Sequence, residues 1–479
     1  MIAVIDTFLL AYSIRDNKSG RDDPFNPIMA RFYKPKKKRE HKNVPRSQKT
    51  INNVVIERLS DDGRGITQVN GKTTFVDGAL VDECVNISIR SETARFSEAV
   101  ITEIVSSSPS RILPLCKHYA TCGGCNLQHM TLEEQRLLKQ STLENKLKHW
   151  AEIKHFSILP AITSDGFAYR QRVRFGVQKK SNKRMFGFRQ KNSKALIDIT
   201  ECPIMVTEFS PVLTLIRSWL DQYSPDIGHI ELISSVDKIG VVIRHTQPIL
   251  TNIRQSLQEK LFPLKGVCWF QSSKGGTLES ADGQTSDPRL QYVLPDYDLS
   301  LVYHPQDFIQ SNVKVNRNMI NQAISLLKPK ADETIVDLFC GIGNFSLPLS
   351  RLAKHVVGVE GVNAMVERAS ENARINNCHN TQFIQADLSH RDCLNVDFGD
   401  IDGLILDPPR SGAKEICENI NKLMPKRVVY VSCDSSTFAR DAQLLCKNGY
   451  QLQQVGIMDM FPQTSHSEVM GLFTHSSWS

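Results

Sequence analysis

Between residues 50 and 106, apolar and polar positions alternate in short runs: Val54-Val-Ile56, Thr73-Thr-Phe75-Val76, Cys84-Val-Asn-Ile87-Ser-Ile89 and Glu98-Ala-Val100-Ile101. Asp62-Gly63-Arg64-Gly65, Asn70-Gly71 and Asp77-Gly78 interrupt them. Turns therefore join strands with one dry face, which predicts a small antiparallel barrel that Pro109 and Pro114 close off. The period changes over residues 131 to 150. There Thr131 and Glu134 form a capping box, and Leu143, Leu147 and Trp150 share a stripe, predicting a helix. Residues 160 to 300 mix strand and helix patterns without a repeat. From about Leu301 onward, apolar runs near 334 to 339, 355 to 360, 403 to 407 and 428 to 433 alternate with helical patterns, as a doubly wound parallel sheet requires. The predicted fold class is thus multidomain, α/β plus β: a leader and basic disordered tail (1–49), a barrel (50–108), a central α/β domain (109–300) and a Rossmann-like domain (301–479).

A length of 479 residues fits that division, at roughly 150 residues per domain. The net charge of +7 matters because of where it sits. Residues 31 to 49 hold nine basic side chains against Glu40. Residues 170 to 194 hold ten more and no acid, so the rest of the chain is net negative. Such segregation suits a polyanion. The second run also interleaves Tyr169, Phe175, Phe186 and Phe188 with its cations, which predicts a surface where bases stack while phosphates are held. The apolar opening from Met1 to Ile14 contains Asp6, lacks a basic flank and is too short to span a bilayer, and no later segment has eighteen uninterrupted apolar residues. A cytoplasmic protein is expected. Met29 would itself make a sensible amino terminus, with residues 1 to 28 as an extension.

Twelve cysteines in such a protein point to ligands or nucleophiles rather than disulfides. Cys116, Cys122 and Cys125 crowd around a Gly-Gly turn, and Cys202 lies downstream. Thiolates so close repel one another unless a cation or cluster neutralises them. One CxxC pair with an offset third cysteine leaves the metal open, favouring an iron–sulfur cluster over zinc.

The candidate chemistry lies at the strand ends, where open α/β sheets bind ligands. Asp337-Leu-Phe339-Cys-Gly341-Ile-Gly343-Asn344 reads as a strand entering a glycine-rich turn. Glu360 ends the next strand, Asp387 follows the third, and Asp407-Pro-Pro-Arg410 ends a fourth. The turn lacks the lysine of a triphosphate loop, so the set points to S-adenosylmethionine. One strand later stands Cys433. A thiolate adding to C6 of uracil makes C5 nucleophilic toward a methyl sulfonium, and a base must afterwards remove the C5 proton. Glu468, in Thr464-Ser-His466-Ser-Glu468, is the candidate base.

With Asp307-Phe308-Ile-Gln310-Ser-Asn312, which resembles an FxQ-N motif, the chain from Met29 onward resembles the RNA uracil-C5 methyltransferase family. The resemblance implies that residues 50 to 106 are a TRAM barrel, an OB-like RNA-binding module. It implies that Cys116, Cys122, Cys125 and Cys202 hold a [4Fe-4S] cluster that helps folding or RNA binding. Gln310, Phe339, Asn344, Glu360, Asp387 and Asp407 would contact S-adenosylmethionine, with Cys433 the nucleophile and Glu468 the general base. Having both barrel and cluster favours uridine 1939 of 23S rRNA, although relatives with both modules can modify two rRNA sites. The alternatives are the same chemistry on another rRNA or tRNA uridine, and a non-catalytic RNA-binding assembly factor. No membrane or obligate protein partner is implied, and a monomer is expected. The chain departs from the pattern in its 28-residue leader and at Ser435, where proline is common.

Overall fold

The computed structural model describes residues 49–180, 183–389 and 398–478. The leader and nearly all of the basic tail lie outside them, as do the side chains of Lys180 and Lys183. Six strands, Thr50–Val55, Arg58–Leu59, Gly65–Val69, Lys72–Asp77, Cys84–Glu92 and Phe96–Ser106, form one sheet in the spatial order first, fifth, sixth, fourth, third, second. The alternating positions Val54, Ile56, Val76, Val85, Ile87 and Ala99 make its core. A Cβ on Gly65 would stand 2.8 Å from that of Ala79 and 2.9 Å from Ile56 Cγ2, so only glycine lets this strand pass. Lys72–Asp77 runs parallel to Phe96–Ser106, which corrects the all-antiparallel expectation. Alternation reports which face is dry, not which way a neighbour runs.

The central sheet runs Leu196–Asp198, Lys183–Arg189, Arg172–Lys180, Ile227–Ser234, Ile239–His245, Gly266–Ser272, Leu278–Glu279, Thr285–Ser286. The helices Phe209–Tyr223 and Thr251–Leu261 bury Trp219, Leu257 and their neighbours against it. The hairpin of Leu290–Leu294 and Leu299–Tyr303 leads out of this region. Tyr303 packs with Trp269 of the central sheet and Ile342 of the last domain. The predicted boundary at 301 therefore cuts a strand.

The C-terminal sheet has the order Thr381–Gln385, His355–Glu360, Thr334–Leu338, Gly403–Leu406, Arg427–Ser432, Glu468–His475, Tyr450–Met458, Ser157–Ile158. The first five are parallel, Glu468–His475 is antiparallel to its neighbours, and both faces are apolar. The predicted helix spans Leu132–His149, with the Thr131 hydroxyl accepting from the Glu134 amide at 3.4 Å. Leu143 and Leu147 are fully buried against this sheet's helix Ser435–Lys447 and its strands. Trp150, expected on the same stripe, is 63% exposed, because it caps the helix beyond the packed turn. This helix and Ser157–Ile158 thus pack with the C-terminal sheet rather than with the central domain in which the sequence placed them.

Candidate active site

The parallel strands all end at one edge of the sheet, delivering Asp337, Asp407 and Cys433 there. An antiparallel strand would ordinarily end at the opposite edge, but it begins at this one. Ser432 pairs with Val469, so Cys433 and Glu468 are the next residues out on adjacent strands. The reversal of one strand puts a carboxyl beside the thiol.

This edge is crowded with acids. Asp337 is fully buried and pushed up to about 7, chiefly by burial and further by Asp407 and Glu360. The Ser346 hydroxyl donates to its Oδ2 at 2.5 Å, while Oδ1 has no partner. Burial also pushes Asp407 to about 7. Glu468, 5% exposed, is raised to about 8 by burial and by Asp407, and its Oε2 is likewise unpartnered. Cys433 keeps solvent access as a residue. Even so, the protein packed around its sulfur, and then Glu468, Asp407 and Asp434, push the thiol up to about 12, with Arg410 pulling the other way. Burial raises Asp337, Asp407 and Glu468, and Asp407 raises the other two further, which favours a cationic ligand at this edge.

The turn after Thr334–Leu338 has positive φ at Phe339 (67°), Gly341 (57°) and Gly343 (95°). For Phe339 that conformation costs about 1–3 kcal/mol. One side-chain bond holds the turn to the next strand end, Gly341 N–H donating to Glu360 Oε2 at 3.2 Å, and Glu360 Oε1 is itself fixed by Val362 N–H at 2.9 Å. Asn344 exchanges amide bonds with Asn316 (2.9 and 3.1 Å) and accepts from the Tyr292 hydroxyl at 2.9 Å, so most of its side chain braces the turn. Gln310 is half-buried just before the helix Val313–Leu327. Asn312 caps that helix and donates to Ser164 Oγ at 2.8 Å and Met460 O at 3.2 Å. Asp387 is exposed past its strand, accepting from Ser389 N–H at 2.9 Å.

Two residues near the thiol, Asp434 and Lys146, escaped the sequence reading. Asp434 caps the helix Ser435–Lys447 through the amides of Ser436 (2.8 Å) and Thr437 (3.1 Å). Ser435, where proline was the family expectation, accepts from Lys146 Nζ at 2.9 Å, and the same ammonium lies 3.1 Å from Asp61 of the barrel. A lysine on the apolar stripe of a helix, one turn after Leu143, was the available signal.

Cys116, Cys122 and Cys125 lie on the loop between barrel and helix. This loop docks on the basic hairpin, with Gly123 N–H donating to Arg189 O at 3.0 Å. Burial raises Cys122, takes Cys125 to about 11 and takes Cys202 to about 12. Cys125 is raised further by Cys122 and Cys116, and Cys202 by all three others. Among the described residues, no group of three or more His, Cys, Asp or Glu side chains is placed to hold a metal ion.

The basic hairpin corrects one expectation. Tyr169, Phe175 and Phe186 are buried, and the Phe175 ring centroid lies 4.9 Å from that of Phe186 and 4.8 Å from that of Phe188. Tyr169, Phe175 and Phe186 are core and cannot stack bases, and Phe188 is half-buried against them. Strand alternation puts Val173, Phe175 and Val177 inside and Arg172 and Arg174 on the other face, near His229 and Arg244. Arg172 is itself engaged, donating to Glu231 at 2.6 Å and Pro305 O at 2.6 Å.

A 23S rRNA (uracil(1939)-C(5))-methyltransferase RlmD from Pseudomonas fluorescens (strain Pf0-1) is 42% identical over 429 residues, which cover 88% of this chain and 91% of that protein. The chain belongs to the RNA uracil-C5 methyltransferase family. Consistent with that membership, the family described as tRNA (Uracil-5-)-methyltransferase matches residues 289–476. The RlmD of Hahella chejuensis (strain KCTC 2396) is 38% identical over 91% of this methyltransferase and 99% of its own length. The fold is similar to that of the Pyrococcus abyssi tRNA (uracil-54, C5)-methyltransferase, whose crystal structure is a complex with S-adenosyl-L-homocysteine. The TM-score is 0.69 at 22% identity, covering 88% of this chain and 99% of that one. The protein is thus an S-adenosylmethionine-dependent uracil-C5 methyltransferase, and none of its described helices is long and apolar enough to cross a membrane.

Proposed function

We propose that this methyltransferase converts a uridine of 23S rRNA, uridine 1939, to 5-methyluridine through a covalent adduct on Cys433. The observation that carries this reading is the pairing of an accessible thiol with a buried carboxyl at one sheet edge, beside an acid-lined turn. S-adenosylmethionine supplies a methyl group on a positively charged sulfur, and a crevice containing Asp337, Glu360 and Asp407 suits that charge. Gln310, Phe339, Asn344, Glu360, Asp387 and Asp407 would bind it. The Cys433 thiolate forms a bond to C6, sending the ring electrons to the C4 oxygen as an enolate. C5 then takes the methyl group from the sulfonium, whose carbon–sulfur bond breaks to leave a neutral thioether. Glu468 accepts the C5 proton, the C5–C6 double bond re-forms, and the sulfur leaves as thiolate. The uridine must be extruded from any stack for C6 to be reached.

The TRAM-like barrel and the cationic face of the central sheet, with Arg174, Arg189 and Arg244, would hold the RNA backbone. Cys116, Cys122, Cys125 and Cys202 would hold a [4Fe-4S] cluster. The raising of Cys125 and Cys202 by the neighbouring thiols supports that reading. The direct test is methyl transfer from labelled S-adenosylmethionine to unmodified 23S rRNA by anaerobically purified protein, with the product located by mass spectrometry. One 5-methyluridine at position 1939 is expected. Methylation elsewhere would overturn the target, and tight RNA binding without transfer would overturn the enzymatic reading. Iron and acid-labile sulfide near four atoms each per chain are expected; zinc instead would overturn the cluster.

A further inference from the structure

The strand pairing fixes the backbone of Glu468, but its Oε2 is buried without a partner. What fixes the loop leading into it comes from far away in sequence. The side-chain oxygen of Asn126 accepts from Ser465 N–H at 3.0 Å, and its amide donates to Ser465 Oγ at 3.1 Å and to Asp62 O of the barrel turn at 2.8 Å. The backbone amides of Asn126 and Leu127 both donate to Gln463 O, at 3.1 and 3.0 Å. Gln135, fully buried, accepts from Gln463 N–H at 2.8 Å and donates to Gln463 Oε1 at 3.1 Å. Gln463 itself has φ of 71°, which a free loop would rarely keep. The segment three to five residues before the carboxyl is therefore moulded by the segment that directly follows Cys125.

We infer that Asn126 is a positioning residue for Glu468, setting where the carboxyl meets the C5 proton while leaving the Cys433 addition untouched. This rests on the roles proposed above for Cys433 and Glu468. It gives the thiol loop a task in the reaction: ordering residues 122 to 126 orders the base. An error of about 1 Å in such a group costs about 100-fold in rate.

The test is Asn126→Ala, read by turnover and by the covalent RNA–protein adduct separately. Turnover should fall about 10- to 100-fold, while the methylated adduct, absent or transient in wild type, accumulates on denaturing gels and by intact mass. S-adenosylmethionine binding and iron content should stay at wild-type values. Ser465→Ala, which leaves the thiol loop intact, should show the same signature more weakly, and the double variant should be less than additive. Wild-type turnover in Asn126→Ala would overturn the inference. So would parallel loss of adduct and turnover in Asn126→Ala together with wild-type behaviour of Ser465→Ala, since that pattern marks a general structural role. Glu468→Gln separates the two levels. If it fails to trap a methylated adduct, the base assignment falls; if it traps one and Asn126→Ala does not, only the positioning role falls.

Discussion

Against the helix Leu132–His149, Lys139 and Asp459 are both buried and lie 2.6 Å apart; the ammonium also donates to Phe461 O at 3.2 Å, and Arg136 reaches Asp459 at 3.3 Å. At the carboxyl edge of the same sheet, Asp337 and Glu468 are as deeply buried, yet each keeps an oxygen without a partner. Folding alone favours the first arrangement, since an unpaired buried polar atom costs about 1–3 kcal/mol. The second persists where Asp407 raises Asp337 and Glu468 and the accessible thiol of Cys433 stands beside them. Matched charge holds this molecule together, and unmatched charge is kept where it has a ligand or a proton to meet.

The contrast breaks most sharply at Cys433. Cys433→Ala should lower turnover by more than about 1000-fold and remove the covalent adduct, while the denaturant midpoint stays at the wild-type value; surviving turnover would sink the thiol mechanism. Lys139→Met should do the converse. It leaves Asp459 with Arg136 alone and should cost about 3 kcal/mol in chemical unfolding, and a loss below about 1 kcal/mol would show the pair to be incidental.

Glu468 sharpens the comparison through pH. Its ordinary value is 4.5 and its folded value is about 8, so between those values the folded state keeps a proton that the unfolded chain releases. Stability contributed this way is complete below about pH 4.5 and is lost as pH rises toward 8. Glu468→Gln should therefore gain on wild type as pH rises, by on the order of 5 kcal/mol at about pH 9, with the gain vanishing near pH 4. Parallel melting curves across that range would contradict the buried acid. The smallest effect belongs to Ser435→Ala, which removes the hydroxyl that Lys146 meets and should cost about 1 kcal/mol in thermal unfolding.

Much of the site could be read in the sequence because it is local. The Asp337 to Asn344 turn, the Asp407-Pro-Pro end and Cys433 each follow an apolar run of the right length, and the strands lie within a residue or two of their predicted ends. Glu468 rested mainly on family likeness, because nothing near it announces that its strand runs backward and starts at the carboxyl edge. The aromatic residues of the basic hairpin were misread as a stacking surface, although Val173, Phe175 and Val177 alternate with Arg172, Arg174 and Gly176 in plain strand fashion. Charge density drew attention away from period. Asn126, Lys146 and the Asn344–Asn316 exchange depend on contacts across 28 to 339 positions, which no local pattern encodes.

The pairing of Ser157 and Ile158 with Gln454 and Val455 has a consequence for solubility. Tyr450–Met458 would otherwise lie at the rim of its sheet, with a row of amides and carbonyls open to any passing strand. A segment nearly 300 positions earlier in the chain covers part of that rim with the shortest strand that can pair, too short to invite another in its turn. The region from 289 to 476, cut out as an independent unit, would lose this cover and the helix packed beside it. It would be expected to associate through that bared strand, so the earlier segments guard the catalytic sheet against its own copies.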